Sequence, residues 1–388
     1  MTAINEVASL EIEDGVAVLT IDSPPVNALS ANVRTGLYEG IQAADANSDA
    51  AAIVLICDGR TFIAGADITE FGGGGPKGAG LDEVQAAMQN AGKPVVAAIH
   101  GTALGGGLEV ALCAHFRIAV PSAKCGLPEV HLGLLPGAGG TQRLPRIVGV
   151  EAALEMMTSG RHVPAAECLE RGLVDALAEE GDLRGGAIAF ANQVIEEGRP
   201  LRKVDEANEK VEAARGKPEI FERFRAGIAR KTRGFLAPEY NIRCIEAAVN
   251  EPFADGLATE ARLFRELVTG PQSAAQRYVF FAEREVWKVP DVPRDTPKIP
   301  VERVGIVGAG TMGGGIAMSF ANMGLPVTII ERDPKPLERG LGVVRANYER
   351  SVKSGRIEPV SYTHLTLPTK VLVCRWRWWA GRCVGGGG

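Results

Sequence analysis

Two glutamates lie in glycine-rich stretches that follow short apolar segments. Glu109 ends the stretch HGTALGGGLE, and Glu129 lies within GLPEVHLG. Two carboxylates around one site can act as general base and general acid when their environments move their pKa values apart. Taken alone, a glutamate one turn into a helix more often complements the helix dipole. The two stretches must therefore be weighed together with their surroundings.

The glycines before Glu109 predict an anion-stabilising backbone. Gly106 belongs to a run of three glycines at the predicted start of a helix, and glycine lets a backbone approach a ligand closely. Amides at a helix N-terminus favour negative charge, and losing one oxyanion donor costs about 3 kcal/mol. Glu109 follows within one turn and shares that helix face. A second donor is predicted at the amide of Ala66, in the turn Ala64-Gly65-Ala66. Tight strand–helix packing is the alternative for a glycine run considered alone.

The elements that must position these groups are strands alternating with helices. Asp14-Gly15 separates two β-rich segments, which predicts a hairpin. Apolar segments at residues 53–56, 95–99 and 116–120 predict further strands, and glycine-rich turns and helices lie between them. This alternation favours a parallel sheet of an α/β fold. Residues 151–289 have helical patterns, with amphipathic candidates at 258–267 and 274–285.

A second module is predicted after a proline-rich linker at residues 289–300. A strand at 304–307 runs into a G-x-G-x-x-G motif, then a helix, then a strand that Glu331 ends. In this context the motif predicts a dinucleotide site of the Rossmann type. Glycine amides would meet the pyrophosphate, and Glu331 would accept hydrogen bonds from ribose hydroxyls, which favours NAD over NADP. The predicted cofactor residues are Gly308, Gly310, Thr311, Met312, Gly313 and Glu331.

Composition excludes several other classes of function. The formal net charge of −5 does not favour nucleic-acid binding, and no apolar segment approaches the length of a membrane span. The seven cysteines form no CxxC pair, which favours buried thiols in a reducing compartment over a zinc site or disulfides. The histidines lack metal-ligand spacing, so we predict no metal site. We expect a bacterial cytoplasmic protein, with a peroxisomal address left open.

Residues 361–388 differ in character from the rest of the chain. They contain three of the four tryptophans and end in four glycines. The segment SYTHLTLPTK is similar to a translated adapter sequence, so we predict that this tail is non-native. A native tail with little order is the alternative interpretation.

Three stretches together resemble the enoyl-CoA hydratase/isomerase, or crotonase, family. They are GRTFIAGADI at residues 59–68, HGTALGGGLE at 100–109, and GLPEVHLG at 126–133 followed by LPGAGGT. PVNALS at residues 25–30 fits the same family, and the resemblance covers roughly residues 5–288. It implies a crotonase-like ββα spiral with a C-terminal helical region, followed by an incomplete Rossmann fold. The implied domains are 1–288, 301–360 after the linker, and the tail.

The resemblance also implies roles for individual residues. The amides of Ala66 and Gly106 would hold the thioester oxygen, Glu109 would act as base on a water, and Glu129 would protonate C2. Hydration of trans-2-enoyl-CoA to (3S)-3-hydroxyacyl-CoA in fatty-acid β-oxidation would follow, without a cofactor. The implied substrate-binding residues are Arg60, Ala64, Ala66, Asp67, Ile68, Thr69 and Gly106.

Alternatives remain open at this point. A Δ3-Δ2-enoyl-CoA isomerase needs only the position of Glu129, and a silent CoA- or NAD-binding remnant is the out-of-class rival. The second module resembles the start of a 3-hydroxyacyl-CoA dehydrogenase, whose catalytic His–Glu pair lies further downstream. We therefore expect no dehydrogenase activity from these 388 residues, and NAD binding by the fragment is itself open to test. An acyl-CoA thioester is the expected substrate, with a thiolase or further copies of this chain as candidate partners.

Overall fold

A computed structural model describes residues 2–65, 78–293, 295–354 and 372–373. The chain divides into two compact units, Met1–Lys288 and Val289–Gly388. Apart from the strand at 372–373, the predicted non-native tail lies outside the described residues. No helix in the described part of the chain is long and apolar enough to cross a membrane.

The first unit combines ten strands and twelve helices among its described residues. Its strands are β1 (Thr2–Ala3), β2 (Ala8–Glu13), β3 (Val16–Ile21), β4 (Ala52–Cys57), β5 (Val95–Ile99), β6 (Thr102–Leu104), β7 (Phe116–Ala119), β8 (Lys124–Gly126), β9 (Val163–Pro164) and β10 (Ala176–Leu177). Its helices are α1 (Ala31–Ala46), α2 (Leu81–Gln89), α3 (Gly106–Ala111), α4 (Gly140–Val148), α5 (Val150–Ser159), α6 (Ala165–Glu170), α7 (Leu183–Glu196), α8 (Glu209–Glu212), α9 (Pro218–Ile228), α10 (Ala237–Asn250), α11 (Phe253–Val268) and α12 (Pro271–Glu285). A 3₁₀ helix spans Pro128–Leu132.

The large sheet begins as a hairpin and continues as a parallel sheet. Its strand order is β1-β2-β3-β4-β5-β7-β10. β2 and β3 are antiparallel, and the turn between them places Asp14 at φ 48° and Gly15 at φ 75°. Positive φ at both positions matches the twist of a two-residue hairpin, so the predicted hairpin is confirmed. From β3 onward every pair is parallel, as the strand–helix alternation predicted.

Burial explains the composition of the central strands. Every residue of β4 and β5 is buried, so these strands are apolar along their whole length rather than alternating. α1 packs against β2 and β3, while α7 packs against β4 and β5. The predicted strands at 53–56, 95–99 and 116–120 correspond to β4, β5 and β7.

A small second sheet supports the glycine-rich stretches. β6 pairs in parallel with β8, and β8 pairs antiparallel with β9. The predicted helices at 258–267 and 274–285 are parts of α11 and α12, which begin earlier, at Phe253 and Pro271. Pro252 and Gly270 are extended and precede those starts, so the first turns of both helices lie before the amphipathic pattern that located them.

The second unit has the start of a nucleotide-binding topology. Its described elements are β11 (Val304–Val307), α13 (Thr311–Asn322), β12 (Val327–Glu331), α14 (Pro334–Lys353) and β13 (Leu372–Val373). The three strands are parallel, in the order β11-β12-β13. Ile306, Ala317, Val327 and Leu337 belong to the small core between sheet and helices.

Candidate active site

Parallel backbone pairing brings the three glycine-rich stretches together. The amide of Leu104 donates to the carbonyl of Ile63 at 3.1 Å, and Ala64 forms a parallel bridge with Leu104. The amide of Gly105 donates to the carbonyl of Gly126 at 2.9 Å. Residues far apart in sequence therefore meet at one edge, where β6 ends and α3 begins.

Gly105 makes the turn into α3 and lies against the second glutamate. Its φ is 53°, a backbone conformation that residues other than glycine rarely adopt. A Cβ at this position would lie 3.1 Å from Oε1 of Glu129. Because Gly105 has no side chain, the backbone just before Gly106 can lie next to the carboxylate of Glu129. Gly106 is the first residue of α3, where amides have no partner within the helix.

Glu109 lies on α3 and is 3% exposed. Its Oε1 accepts hydrogen bonds from the amides of Ala138 and Gly140, both at 2.8 Å. Burial raises the pKa of this carboxyl, while the two amides and the charge of Arg143 act in the opposite direction. The environment thus contains groups that favour the ionised form, as a general base requires.

Glu129 lies in the 3₁₀ helix and has a different environment. Its Oε2 is buried and accepts no hydrogen bond among the described residues. Burial, and then repulsion from Glu109 and Glu260, raise the pKa of Glu129 well above its usual value. A raised pKa means that a carboxyl holds its proton to higher pH than usual, so such a group is suited to deliver that proton to a substrate. The pKa values of both carboxyls are thus raised, but Glu109 has two amides and a cation that act against the shift, whereas repulsion from two carboxylates adds to the shift of Glu129.

Glu260 is a third buried carboxylate that sequence reasoning missed. It lies on α11, is 2% exposed, and accepts from the amides of Gly139 at 2.6 Å and Thr141 at 3.1 Å. Burial, and next the charge of Glu109, raise the pKa of Glu260 to about 8. Nothing in the pattern of residues 258–267 distinguishes this glutamate from solvent-facing ones. Only the packing of α11 against α4 places it at the site.

Residues 25–30 support the turn that precedes Ala66. The amide of Ala64 donates to the carbonyl of Val26 at 3.1 Å, and the amide of Leu29 donates to the carbonyl of Gly65 at 3.0 Å. The buried Asn27 side chain donates to the carbonyls of Asp58 and Thr61, both at 2.9 Å. These bonds fix the backbone up to Gly65.

Of the remaining predicted substrate-binding residues, the structure describes only Arg60. Ala66, Asp67, Ile68 and Thr69 lie outside the described residues. Arg60 is exposed, and its Nε donates to the carbonyl of Pro25 at 3.1 Å. Contact between Arg60 and a CoA phosphate stays a prediction.

The glycine loop of the second unit has the features of a dinucleotide site. Gly308 has φ 101°, and a Cβ on Gly313 would lie 1.9 Å from the carbonyl oxygen of Gly308. Glu331 ends β12, and its Oε2 accepts from the amide of Ala309 at 2.8 Å. This bond and the amide of Arg332 lower the pKa of Glu331. Close packing at Gly313 and an ionised carboxylate beside the loop fit a pyrophosphate and a ribose.

Comparison with known proteins identifies both modules. Residues 11–221 match the model of the enoyl-CoA hydratase/isomerase family, and residues 303–367 match the NAD-binding domain of 3-hydroxyacyl-CoA dehydrogenase. A peroxisomal bifunctional enzyme of Cavia porcellus is 40% identical over 353 residues, 89% of this chain and 48% of that protein. A glyoxysomal fatty acid β-oxidation multifunctional protein of Cucumis sativus is 38% identical over 358 residues, 89% and 49% of the two chains. This chain thus spans about half the length of the curated relatives it matches.

Solved structures support the fold of the first unit. A carnitinyl-CoA hydratase from Mycobacterium avium is 26% identical with a TM-score of 0.53, covering 72% of this chain and 97% of that one. An enoyl-CoA hydratase/isomerase from Pseudoalteromonas atlantica has a TM-score of 0.50 at 22% identity, covering 74% of this chain and all of that one, and supports the fold alone. The predicted crotonase and Rossmann folds are confirmed. Because the matched model covers more than half of the chain, this protein belongs to the enoyl-CoA hydratase/isomerase family.

Proposed function

We propose that the first unit hydrates trans-2-enoyl-CoA thioesters to (3S)-3-hydroxyacyl-CoA in fatty-acid β-oxidation. The observation that carries this proposal is the pair of buried glutamates with different hydrogen-bonding environments. Glu109 accepts two amide hydrogen bonds, whereas Oε2 of Glu129 is buried and has no hydrogen-bond partner in the described part of the chain. One carboxylate is therefore suited to take a proton, and the other to give one.

The proposed reaction adds water across the double bond. Glu109 takes a proton from water as the oxygen bonds to C3, and electron density moves to the thioester oxygen. The amide of Gly106 stabilises that oxygen, with the amide of Ala66 as the second proposed donor. Glu129 then gives its proton to C2, and proton exchange between the two carboxyls restores the starting state. The elements of one water molecule enter the product, so the step needs no cofactor.

Isomerisation of a Δ3 double bond to Δ2 is the second candidate. It requires one carboxyl that takes a proton from C2 and returns it to C4. Oε2 of Glu129 accepts no hydrogen bond from the residues that the structure describes, which supports this as a side activity. Glu109 has no role in that transfer, so its presence in the site favours hydration as the main reaction.

For the second unit we propose NAD binding. Amides of the loop at Gly308, Gly310, Thr311 and Gly313 would hold the pyrophosphate, with Met312 beside it and Glu331 on the adenosine ribose. Bound NAD would supply a hydride acceptor for a 3-hydroxyacyl-CoA. Met312 is 77% exposed, which leaves it accessible to a ligand. The oxygens of Glu331 accept from the amides of Ala309 and Arg332, and a carboxylate has further lone pairs for hydroxyls.

The compartment and the partners are also proposals. The buried free thiols at Cys57, Cys113, Cys125, Cys168 and Cys244 support a reducing compartment, and a bacterial cytoplasm satisfies it. The names of the relatives place those proteins in peroxisomes or glyoxysomes. A thiolase partner or self-association stays a prediction.

An absorbance assay tests the proposed function. Purified protein is mixed with crotonyl-CoA, and loss of the conjugated-thioester absorbance is followed. We expect enzymatic turnover, formation of the (3S) alcohol, and a loss of about 10³-fold in kcat for Glu129→Gln with acyl-CoA binding retained. Absence of turnover in the unaltered protein would overturn the proposal and favour a binding remnant. Turnover of a Δ3 substrate alone would favour the isomerase.

A further inference from the structure

Four consecutive backbone amides donate to two buried glutamates in alternation. We call residues 138–141, on which these amides lie, the amide strap. The amides of Ala138 and Gly140 donate to Oε1 of Glu109. Those of Gly139 and Thr141 donate to Glu260. One short segment therefore lies between a carboxylate on α3 and a carboxylate on α11.

Glu260 also binds the amide strap through a side chain. Its Oε2 also accepts from the Thr141 hydroxyl at 2.5 Å. Nε2 of Gln142 donates to that hydroxyl oxygen at 2.9 Å and to the carbonyl of Cys244 on α10 at 3.0 Å. The strap is thus tied to two helices of the C-terminal region. Both oxygens of Glu260 are used for this purpose.

From this geometry we propose that Glu260 is a positioning residue for hydration: by holding Gly139 and Thr141, it directs the neighbouring amides of Ala138 and Gly140 at Oε1 of Glu109. This inference rests on the proposed function. With Oε1 held by two amides, the remaining oxygen of Glu109 keeps one orientation towards the water. Glu260 touches the strap and not the reacting atoms, so its effect on the reaction is indirect.

Glu260 also affects the pKa values of the carboxyls at the site. The charge of Arg143 on α4 acts on Glu109, the charges of Glu109 and Glu260 act on Glu129, and the charge of Glu109 acts on Glu260. Glu260 in turn raises the pKa of Cys244 on α10. Ionised Glu260 raises the pKa of Glu129, and because the pKa of Glu260 is about 8 this charge develops on the alkaline side of neutrality. Removing that charge should lower the pKa of Glu129, and so shift the alkaline limb of the pH–rate profile to lower pH.

Kinetics of four variants test the inference with crotonyl-CoA. Glu260→Gln keeps the size but presents an amide donor towards strap N–H groups, and Glu260→Asp keeps the charge but is one methylene too short. We expect both to lower kcat by about 10²-fold, with KM within about threefold, because misplacement of a catalytic group acts on the transition state. Thr141→Val removes the hydroxyl, which donates to Glu260 and accepts from Gln142, but keeps the Thr141 amide, and it should lower kcat about fivefold. Glu266→Gln, on the same helix in a surface pair with Arg262, is the matched control and should leave kcat unchanged.

The outcomes separate the two proposals. Turnover in the unaltered protein with unchanged kcat in Glu260→Gln and Thr141→Val would overturn the positioning inference alone. A change confined to KM, or an alkaline limb that does not move in Glu260→Gln, would also overturn it. Absence of turnover in the unaltered protein would overturn the proposed function, and the inference with it. If Glu260→Gln does not fold, as circular dichroism would show, Thr141→Val decides.

Discussion

The two units place glutamates against backbone amides in opposite solvent environments. In the first unit, Glu109 and Glu260 are nearly inaccessible, and burial raises the pKa of each although amides donate to both. In the second unit, Glu331 is partly exposed, and the amide of Ala309 lowers its pKa. The hydrogen bonds are similar in kind, so the difference arises from desolvation.

This difference matches the two proposed tasks. A residue that moves protons must exist in both charge states near neutral pH, and burial brings a carboxyl into that range. A residue that accepts bonds from ribose hydroxyls must stay ionised, and solvent exposure keeps it so. The same amino acid is therefore suited to catalysis in one unit and to recognition in the other.

The largest expected effect comes from removing the proposed base. Glu109→Gln keeps the volume but cannot take a proton from water, so kcat for crotonyl-CoA should fall about 10³-fold. Glu285→Gln removes a surface glutamate paired with Lys288 and serves as the control. Equal kcat in Glu109→Gln and unaltered protein would show that the buried pair does not perform the chemistry.

A smaller effect is expected from filling the space beside Glu109. A Cβ on Gly140 would lie 2.8 Å from Oε1 of Glu109 and 2.8 Å from Cβ of Pro136. Gly140→Ala should displace the carboxylate and lower kcat about 10²-fold in the crotonyl-CoA assay. A Cβ on Gly227 of α9 would meet no described atom within 4 Å, so Gly227→Ala should leave kcat unchanged. Similar rates in both variants would mean that the amide contacts of Glu109 do not matter.

Glu331, the partly exposed glutamate of the second unit, should affect the affinity for NADH about tenfold. Glu331→Gln replaces an ionised acceptor of ribose hydroxyls, so NADH should bind about tenfold more weakly. The preference for NADH over NADPH should also shrink, since a negative charge repels the 2′-phosphate. Fluorescence titration of NADH measures both. Glu349→Gln on α14 is the control, and unaltered NADH affinity in Glu331→Gln would remove Glu331 from the site.

The smallest expected effect is on stability. A carboxyl whose pKa is raised on folding stabilises the folded state below its unfolded pKa, and that contribution is lost as pH rises through its folded pKa. For Glu260 the window runs from 4.5 to about 8. The calorimetric melting temperature of the first unit should therefore fall by a few degrees (about 2–4 °C) from pH 5 to pH 8. In Glu129→Gln the fall should be smaller, and an equal fall would exclude Glu129 as a contributor.

Local patterns were sufficient to predict the hairpin, three strands of the parallel sheet and the first elements of the second unit. The hairpin at Asp14-Gly15 and the parallel strands followed from turn residues and apolar segments, since both depend on neighbours in sequence. The glycine loop of the second unit was also predicted, because strand, glycines and helix are contiguous there. The helix starts at Phe253 and Pro271 were placed too late, because the pattern marks the apolar face rather than the first turn.

The sequence by itself determined the two modules, the two candidate catalytic glutamates and the glycine loops, since each is carried by residue type and short spacing. Tertiary structure decided that residues 138–141 join Glu109 to Glu260, across 121 residues from Gly139 to the latter. It also decided how far each carboxyl is desolvated, and so which of them favours keeping its proton. The physical reason is that burial and electrostatic coupling depend on the groups that surround a side chain in space, and a spacing along the chain does not encode them.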